Sequence, residues 1–192
     1  MSTVENIKLA GRTLFGQKGY NGTSLTDIAT EVGIKKPSLY AHFKNKDDLF
    51  LAVVMDLMTI FLAELEKSYN QHKQKKTKER LQAFLFDSCT FLQNEQFGPL
   101  YKRMILFPPE HLHEEVKNRF LSTEAYTNDA LKELFQTGME NGEIRKLNID
   151  ALINSFYCLT DGLFIQRFYY DEKRYEQKIN DAWTIFWDGI QA

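Results

Sequence analysis

The chain has 192 residues, of which 43% are hydrophobic and 26% charged, and its net charge is −2. This composition excludes a largely disordered chain, and no apolar run approaches the roughly 18–20 residues of a membrane span. The opening MSTVENIKLAGRTLF carries Glu5 and no apolar signal core, so secretion is not expected. Cys89 and Cys158 lie far apart, which fits a reducing cytoplasm and opposes a disulfide framework or a zinc site.

Charge and aromatics are unevenly spread. Residues 1–48 carry seven Lys/Arg, five Asp/Glu and four aromatics; residues 49–192 carry seventeen, twenty-one and twenty-two. A small, slightly basic head joined to a larger, acidic, aromatic-rich body hints at nucleic-acid contact by the head.

Prolines number four and strict apolar/polar alternation is nearly absent, so the 3.6-residue period predicts an all-helical fold of about nine helices. The first covers about residues 4–18, with Ile7, Ala10, Leu14 and Phe15 on one face and Gly19 past its end. Ser24-Leu25-Thr26-Asp27 reads as a capping box opening a second helix that runs to Val32, with Gly33 beyond it. A short third helix is expected over about Lys36–Phe43. Asn45-Lys46-Asp47-Asp48 marks the start of a long fourth helix, to about Tyr69. A polar loop (70–78) follows, then a fifth helix from about Lys78 to Asn94. Pro99 starts a short sixth, which Pro108-Pro109 ends. A seventh, with a bend considered near Ser122, reaches Glu140, an eighth spans about Ile149–Tyr170 and a ninth about Lys173–Ile190.

The informative stretch is LTDIATEVGIKKPSLYAHFK, residues 25–44. A helix-turn-helix needs a small residue where its helices cross, a turn residue tolerant of positive φ, and apolar residues facing inward on both sides. Ala29, Gly33, and the set Ile28, Val32, Ile34, Leu39 and Phe43 meet these demands. The second helix of such a unit enters the DNA major groove. Its outward residues, Lys35, Lys36, Ser38, Tyr40 and His42, suit phosphate oxygens and base edges. Lys46, opening the next helix beside free N–H groups, makes a phosphate site.

The segment from Phe15 to Leu49 resembles the tetracycline-repressor (TetR) family of bacterial transcription regulators. The resemblance rests on Phe15, Gly19-Tyr20, Thr23-Ser24, Asp27-Ile28-Ala29, Val32-Gly33-Ile34 and Leu39-Tyr40-x-His42-Phe43-x-x-Lys46-x-x-Leu49. It implies that Thr23, Ser24, Lys36, Tyr40, His42 and Lys46 touch DNA. It also implies a homodimer on a two-fold symmetric operator, usually a repressor released by a small ligand. One departure is Lys35, which stands where a Ser N-cap is common; losing a cap costs about 0.5–2 kcal/mol, and Pro37 offsets part of this by presetting φ.

The expected domains are a DNA-binding head, 1–48, and a ligand-binding and dimerisation body, 49–192. Leu152, Phe156, Leu159 and Leu163 on the eighth helix, with Ile179, Trp183, Phe186 and Ile190 on the ninth, make apolar faces too wide for one internal contact. By the resemblance they pair with a second chain as a four-helix bundle. Candidate pocket residues are Phe61, Phe84, Phe91, Tyr101, Met104, Phe107, Phe120, Tyr126, Phe164 and Phe168, and the implied effector is small and apolar or aromatic.

Other chemistry is thin. His111 and Glu115 lie one helical turn apart, near His113, but no third ligand is evident; no metal and no cofactor are expected. No P-loop, dinucleotide turn or nucleophile elbow is present, so no enzyme is expected. Two functions compete: a ligand-responsive regulator binding operator DNA in the cytoplasm, and a helical small-molecule-binding protein without operator binding. The intact Tyr40, His42 and Lys46 set favours the first.

Overall fold

The computed structural model describes residues 2–192. Among these the fold is all-α: α1 Thr3–Lys18, α2 Leu25–Val32, α3 Lys36–Tyr40, α4 Lys46–Gln71, α5 Thr77–Gln93, α6 Gly98–Leu106, a single 3-10 turn Glu110–Leu112, α7 His113–Glu140, α8 Ile149–Gln166 and α9 Glu172–Ile190. The chain divides into two compact units, Met1–Phe61 with Asn94–Thr123, and Leu62–Gln93 with Glu124–Ala192.

Helix ends follow side-chain chemistry. Ser2 caps α1 in a box with Glu5 that periodicity does not reveal. Ser24 caps α2: its Oγ accepts the Asp27 N–H at 3.1 Å, and the Asp27 carboxylate accepts the Ser24 N–H at 2.8 Å. At the start of α4, Asn45 Oδ1 accepts the Asp48 N–H (2.8 Å) and Asp48 accepts the Lys44 N–H (2.9 Å). Two predicted ends are too long. The third helix stops at Tyr40, where the N–H groups of His42 and Phe43 both close on the Leu39 carbonyl. The eighth stops at Gln166, before Asp171 caps α9.

In the first unit, Ile7, Phe15, Ile28, Leu39, Leu49, Phe50 and Val54 are buried to within a few per cent. The Phe50 ring meets Phe15 edge-on at 5.1 Å and Tyr20 at 5.2 Å. Helix α6 crosses α1 at Gly16, where a Cβ would lie 3.1 Å from the Leu100 backbone nitrogen. Arg103 then reaches the open end of α1, donating Nε to the Gly16 carbonyl and an Nη to that of Gln17, each at 2.8 Å.

The second unit is organised around Phe156, fully buried, whose ring meets Phe84, Phe135 and Phe186 at 5.9, 6.2 and 5.7 Å. Trp183 stacks on Trp187 at 5.8 Å. Thr77 and Glu143 tie the start of α5 to the turn after α7. Burial pushes the Cys89 thiol up to about 11 and raises the neighbouring Tyr175 hydroxyl as well, so Cys89 is a packing residue with little thiolate.

Gly33 closes α2 with φ +76° and ψ 29°, and a Cβ there would meet open space. A substitution at this position therefore tests the backbone alone. Gly33→Ala should cost about 1–2 kcal/mol, and Gly33→Asn less, because Asn tolerates the left-handed region. Urea denaturation of the three proteins checks both the loss and its order.

Candidate nucleic-acid interface and body cavity

Local structure places the DNA candidates in one short run. Lys35, Lys36, Ser38, Tyr40 and His42 are exposed, Tyr40 at 51%, while Leu39 and Phe43 between them are buried. Lys35 occupies the N-cap of α3 without a side-chain cap bond, and Pro37 sits in the first turn. The five donors thus project from a frame fixed from below by two apolar anchors.

The other three candidates are placed differently. Ser24 is exposed, but its hydroxyl is engaged with Asp27. Thr23 is 1% exposed, and its hydroxyl donates to the carbonyls of Leu14 (3.1 Å) and Gly19 (2.8 Å). Its N–H goes to the Tyr20 carbonyl, so Thr23 has no donor left for DNA and acts as a brace within the head. Lys46 is half-buried, its ammonium 4.0 Å over the Tyr20 ring. Burial lowers the pKa of that ammonium, with Asp47 opposing.

Beside Lys46 lies a polar cluster that sequence reasoning did not assemble. The Tyr20 hydroxyl donates to Asp47 Oδ1, and His111 Nε2 stands 3.3 Å from the same oxygen. The metal pairing weighed for His111 and Glu115 does not form: His111 faces Asp47, His113 faces Glu114, and Glu115 faces Arg119. Among the described residues no group of three potential metal ligands comes together. A tyrosine and an acid 27 residues apart carry no spacing signal; only the tertiary fold brings the turn after α1 beside the first turn of α4.

In the second unit, α4, α5 and α7 enclose a cavity of about 250 Å³. Helix α4 contributes Leu65, Glu66 and Tyr69, α5 contributes Phe84, and α7 contributes Tyr126, Thr127, Asp129, Ala130 and Glu133. The α7 set at 126, 129, 130 and 133 is one face of a helix. Of the ten aromatic and methionine candidates, Phe84 and Tyr126 line this cavity. Phe91, Met104 and Phe164 are buried in the packing. Phe61 and Tyr101 are half-buried with their rings 6.2 Å apart, and Phe120 is half-buried. Phe107 is 70% exposed and Phe168 39%.

The predicted dimer residues also sort by burial. Leu152, Phe156, Leu163, Ile179, Trp183 and Ile190 are buried within the second unit; Leu159 and Phe186 are half-buried. On the same helices Ala151, Ser155, Cys158, Gly162 and Ile185 are exposed, Ile185 at 74%.

The head has the architecture of a helix-turn-helix unit. Residues 7–53 match the model of the bacterial regulatory proteins, tetR family, and the match takes in the whole of α2, the turn and α3. The chain is 34% identical over 119 residues to the biofilm operon icaADBC negative transcriptional regulator IcaR of Staphylococcus epidermidis, a stretch covering 62% of each chain. Its fold is shared with the fatty acid degradation regulator FadR of Bacillus halodurans (TM-score 0.77, 16% identity, 97% of this chain and 95% of that one). It is shared too with FadR of Bacillus subtilis in complex with stearoyl-CoA (TM-score 0.77, 19% identity, 97% and 98%). Residues 7–53 thus carry the helix-turn-helix domain of the TetR family.

The Tyr20 hydroxyl holds the Asp47 carboxyl below its ordinary value of 3.8, with His111 adding to the effect. A lowered folded pKa contributes stability that is present above the ordinary value and lost as pH falls through the lowered one. Tyr20→Phe should raise the Asp47 pKa, read by carboxyl-carbon NMR. The stability gap between wild type and Tyr20→Phe should be constant near neutral pH and shrink in acid, below about pH 4.

Proposed function

We propose that the protein is an operator-binding transcriptional repressor, with residues 1–48 as the DNA-reading head and 49–192 as the ligand-binding and dimerisation body. The observation that carries this is the exposed row Lys35, Lys36, Ser38, Tyr40 and His42 on a buried frame. Every member of the row can donate to phosphate or base edges, and none is an acid. Lys46 joins them by swinging off the Tyr20 ring toward a phosphate near the α4 N-terminus. The description of the staphylococcal relative as a negative regulator supports the repressing sign.

The body reading is supported by the cavity among α4, α5 and α7 and by the stearoyl-CoA bound to the Bacillus subtilis structure. Helix α4 starts next to the recognition turn and its last residues line the cavity, so a ligand that displaces its far end acts on the element carrying Lys46. For the dimer, the buried residues of α8 and α9 form the support and the exposed Ala151, Ser155, Cys158, Gly162 and Ile185 form the contact. Small residues let two helices approach closely, and an isoleucine this exposed gains from being covered.

Two measurements test this function. Fluorescence anisotropy on DNA from the gene's own upstream region should show nanomolar-range binding that falls with salt. Lys36→Ala should weaken binding to specific and unrelated DNA alike and reduce the salt slope by about one unit; a change of base preference with an unchanged slope would make Lys36 a base reader instead. In sedimentation, Ile185→Glu should turn a dimer into folded monomer, because a charge placed in the contact is desolvated without a partner. A stable Ile185→Glu dimer would move the interface to another face.

A further inference from the structure

The body cavity has a polarity that its aromatic content does not suggest. Phe84 is 6% exposed and forms the floor. Tyr69 and Tyr126 present rings to the same space. Around them stand Glu66, Asp129 and Glu133, all exposed at the rim, and no lysine, arginine or histidine lines the cavity. Glu133 accepts the Tyr69 hydroxyl, whose pKa is raised by burial and by that carboxylate. Neither Glu66 nor Asp129 is ion-paired among the described residues. Arg80 lies 4.7 Å over the Tyr69 ring and opposes Glu133 at its hydroxyl, but is not a lining residue.

Negative charge also lies nearby. Thr127, in the lining, shares a 2.6 Å hydrogen bond with Tyr157. Close to Tyr157 are Glu124 and Asp161, and the Asp161 carboxyl is raised by burial and then by Glu124. Together with Glu66, Asp129 and Glu133 these carboxylates outnumber the Arg80 guanidinium on Tyr69, so the field over the cavity is negative.

From this arrangement we infer that the effector site accepts a small organic cation with an aromatic or compact aliphatic body, held over Tyr69, Tyr126 and Phe84 and neutralised by Glu66, Asp129 and Glu133. Ring faces attract a cation through their quadrupole, and a quaternary or alkylated ammonium loses little hydration on entering an apolar floor. The rim carboxylates complete the match by charge, as complementary potentials do in any recognition site. An anionic ligand of the same shape meets three like charges. The inference rests on the reading of the body as a ligand sensor and refines the apolar or aromatic effector expected from aromatic content alone.

Three probes of nearly one shape separate the terms: phenyltrimethylammonium, its neutral isostere tert-butylbenzene, and benzoate. Each is titrated into the full-length protein, with amide NMR shifts of residues 126–133 reporting the site. Phenyltrimethylammonium should bind about tenfold or more tightly than tert-butylbenzene, benzoate should not bind, and salt should narrow the gap. The triple variant Glu66→Gln, Asp129→Asn, Glu133→Gln should abolish the gap while leaving tert-butylbenzene binding in place. Phe84→Ala should weaken both ligands. Equal binding of the two isosteres, or a preference for benzoate, would overturn the cation assignment and leave a sensor for neutral or anionic ligands standing. If no probe shifts residues 126–133, the cavity is not a ligand site. The assignment and the sensor reading then fall together, while anisotropy on operator DNA still decides the head.

Discussion

A helix of five residues does not persist in water, because the cost of fixing its first turn is never recovered along its length. Helix α3, which carries most of the exposed donor row, is such a helix, and its N-cap position holds Lys35 with no capping bond. Its position is therefore set from outside. Leu39 at 1% exposure and Phe43 at 8% anchor it into the buried core of the first unit. The left-handed turn at Gly33 sets the angle at which it leaves α2. Where Lys36, Ser38 and His42 point is a consequence of packing several residues away.

That packing is completed by segments distant in sequence. Helix α6 approaches α1 closely enough at Gly16 that no larger residue fits without displacement, and Arg103 satisfies carbonyls that the end of α1 leaves open. Next along the chain, Asp47 collects the hydroxyl of Tyr20 and the imidazole of His111, while the Tyr20 ring holds the Lys46 ammonium. Tyr20 thus does three things. It packs on Phe50, orients Asp47, and keeps Lys46 in a partly desolvated position from which a phosphate could draw it.

In the second unit one kind of residue serves two purposes. Phe135 and Phe186 each close on Phe156 and fill space, which is the usual fate of aromatics on inward helix faces. Phe84 meets Phe156 and also floors the cavity. The difference lies in what stands opposite: another ring, or the gap left where α4, α5 and α7 diverge. Exposed carboxylates at that gap give it a charge that the rings alone would not have.

The helical period, the capping boxes and the Ala29/Gly33/Leu39 spacing are local properties, so the all-α fold, the helix-turn-helix and the exposure of the row 35–42 around Leu39 were legible in the sequence. Helix ends such as Tyr40 and Gln166 were less so, because backbone closure on Leu39 and the Asp171 cap overrode the apolar pattern. Thr23 looked like a donor, since its type and position are those of one; only its burial under Leu14 and Gly19 turned the hydroxyl inward. The joining of Tyr20, Asp47 and His111, the burial of Trp183 and exposure of Ile185 on opposite faces of α9, and the choice of Phe84 and Tyr126 for the cavity were decided by tertiary structure. Each depends on which faces of separate helices meet, and the period of one helix shows which side is apolar without naming the neighbour that covers it.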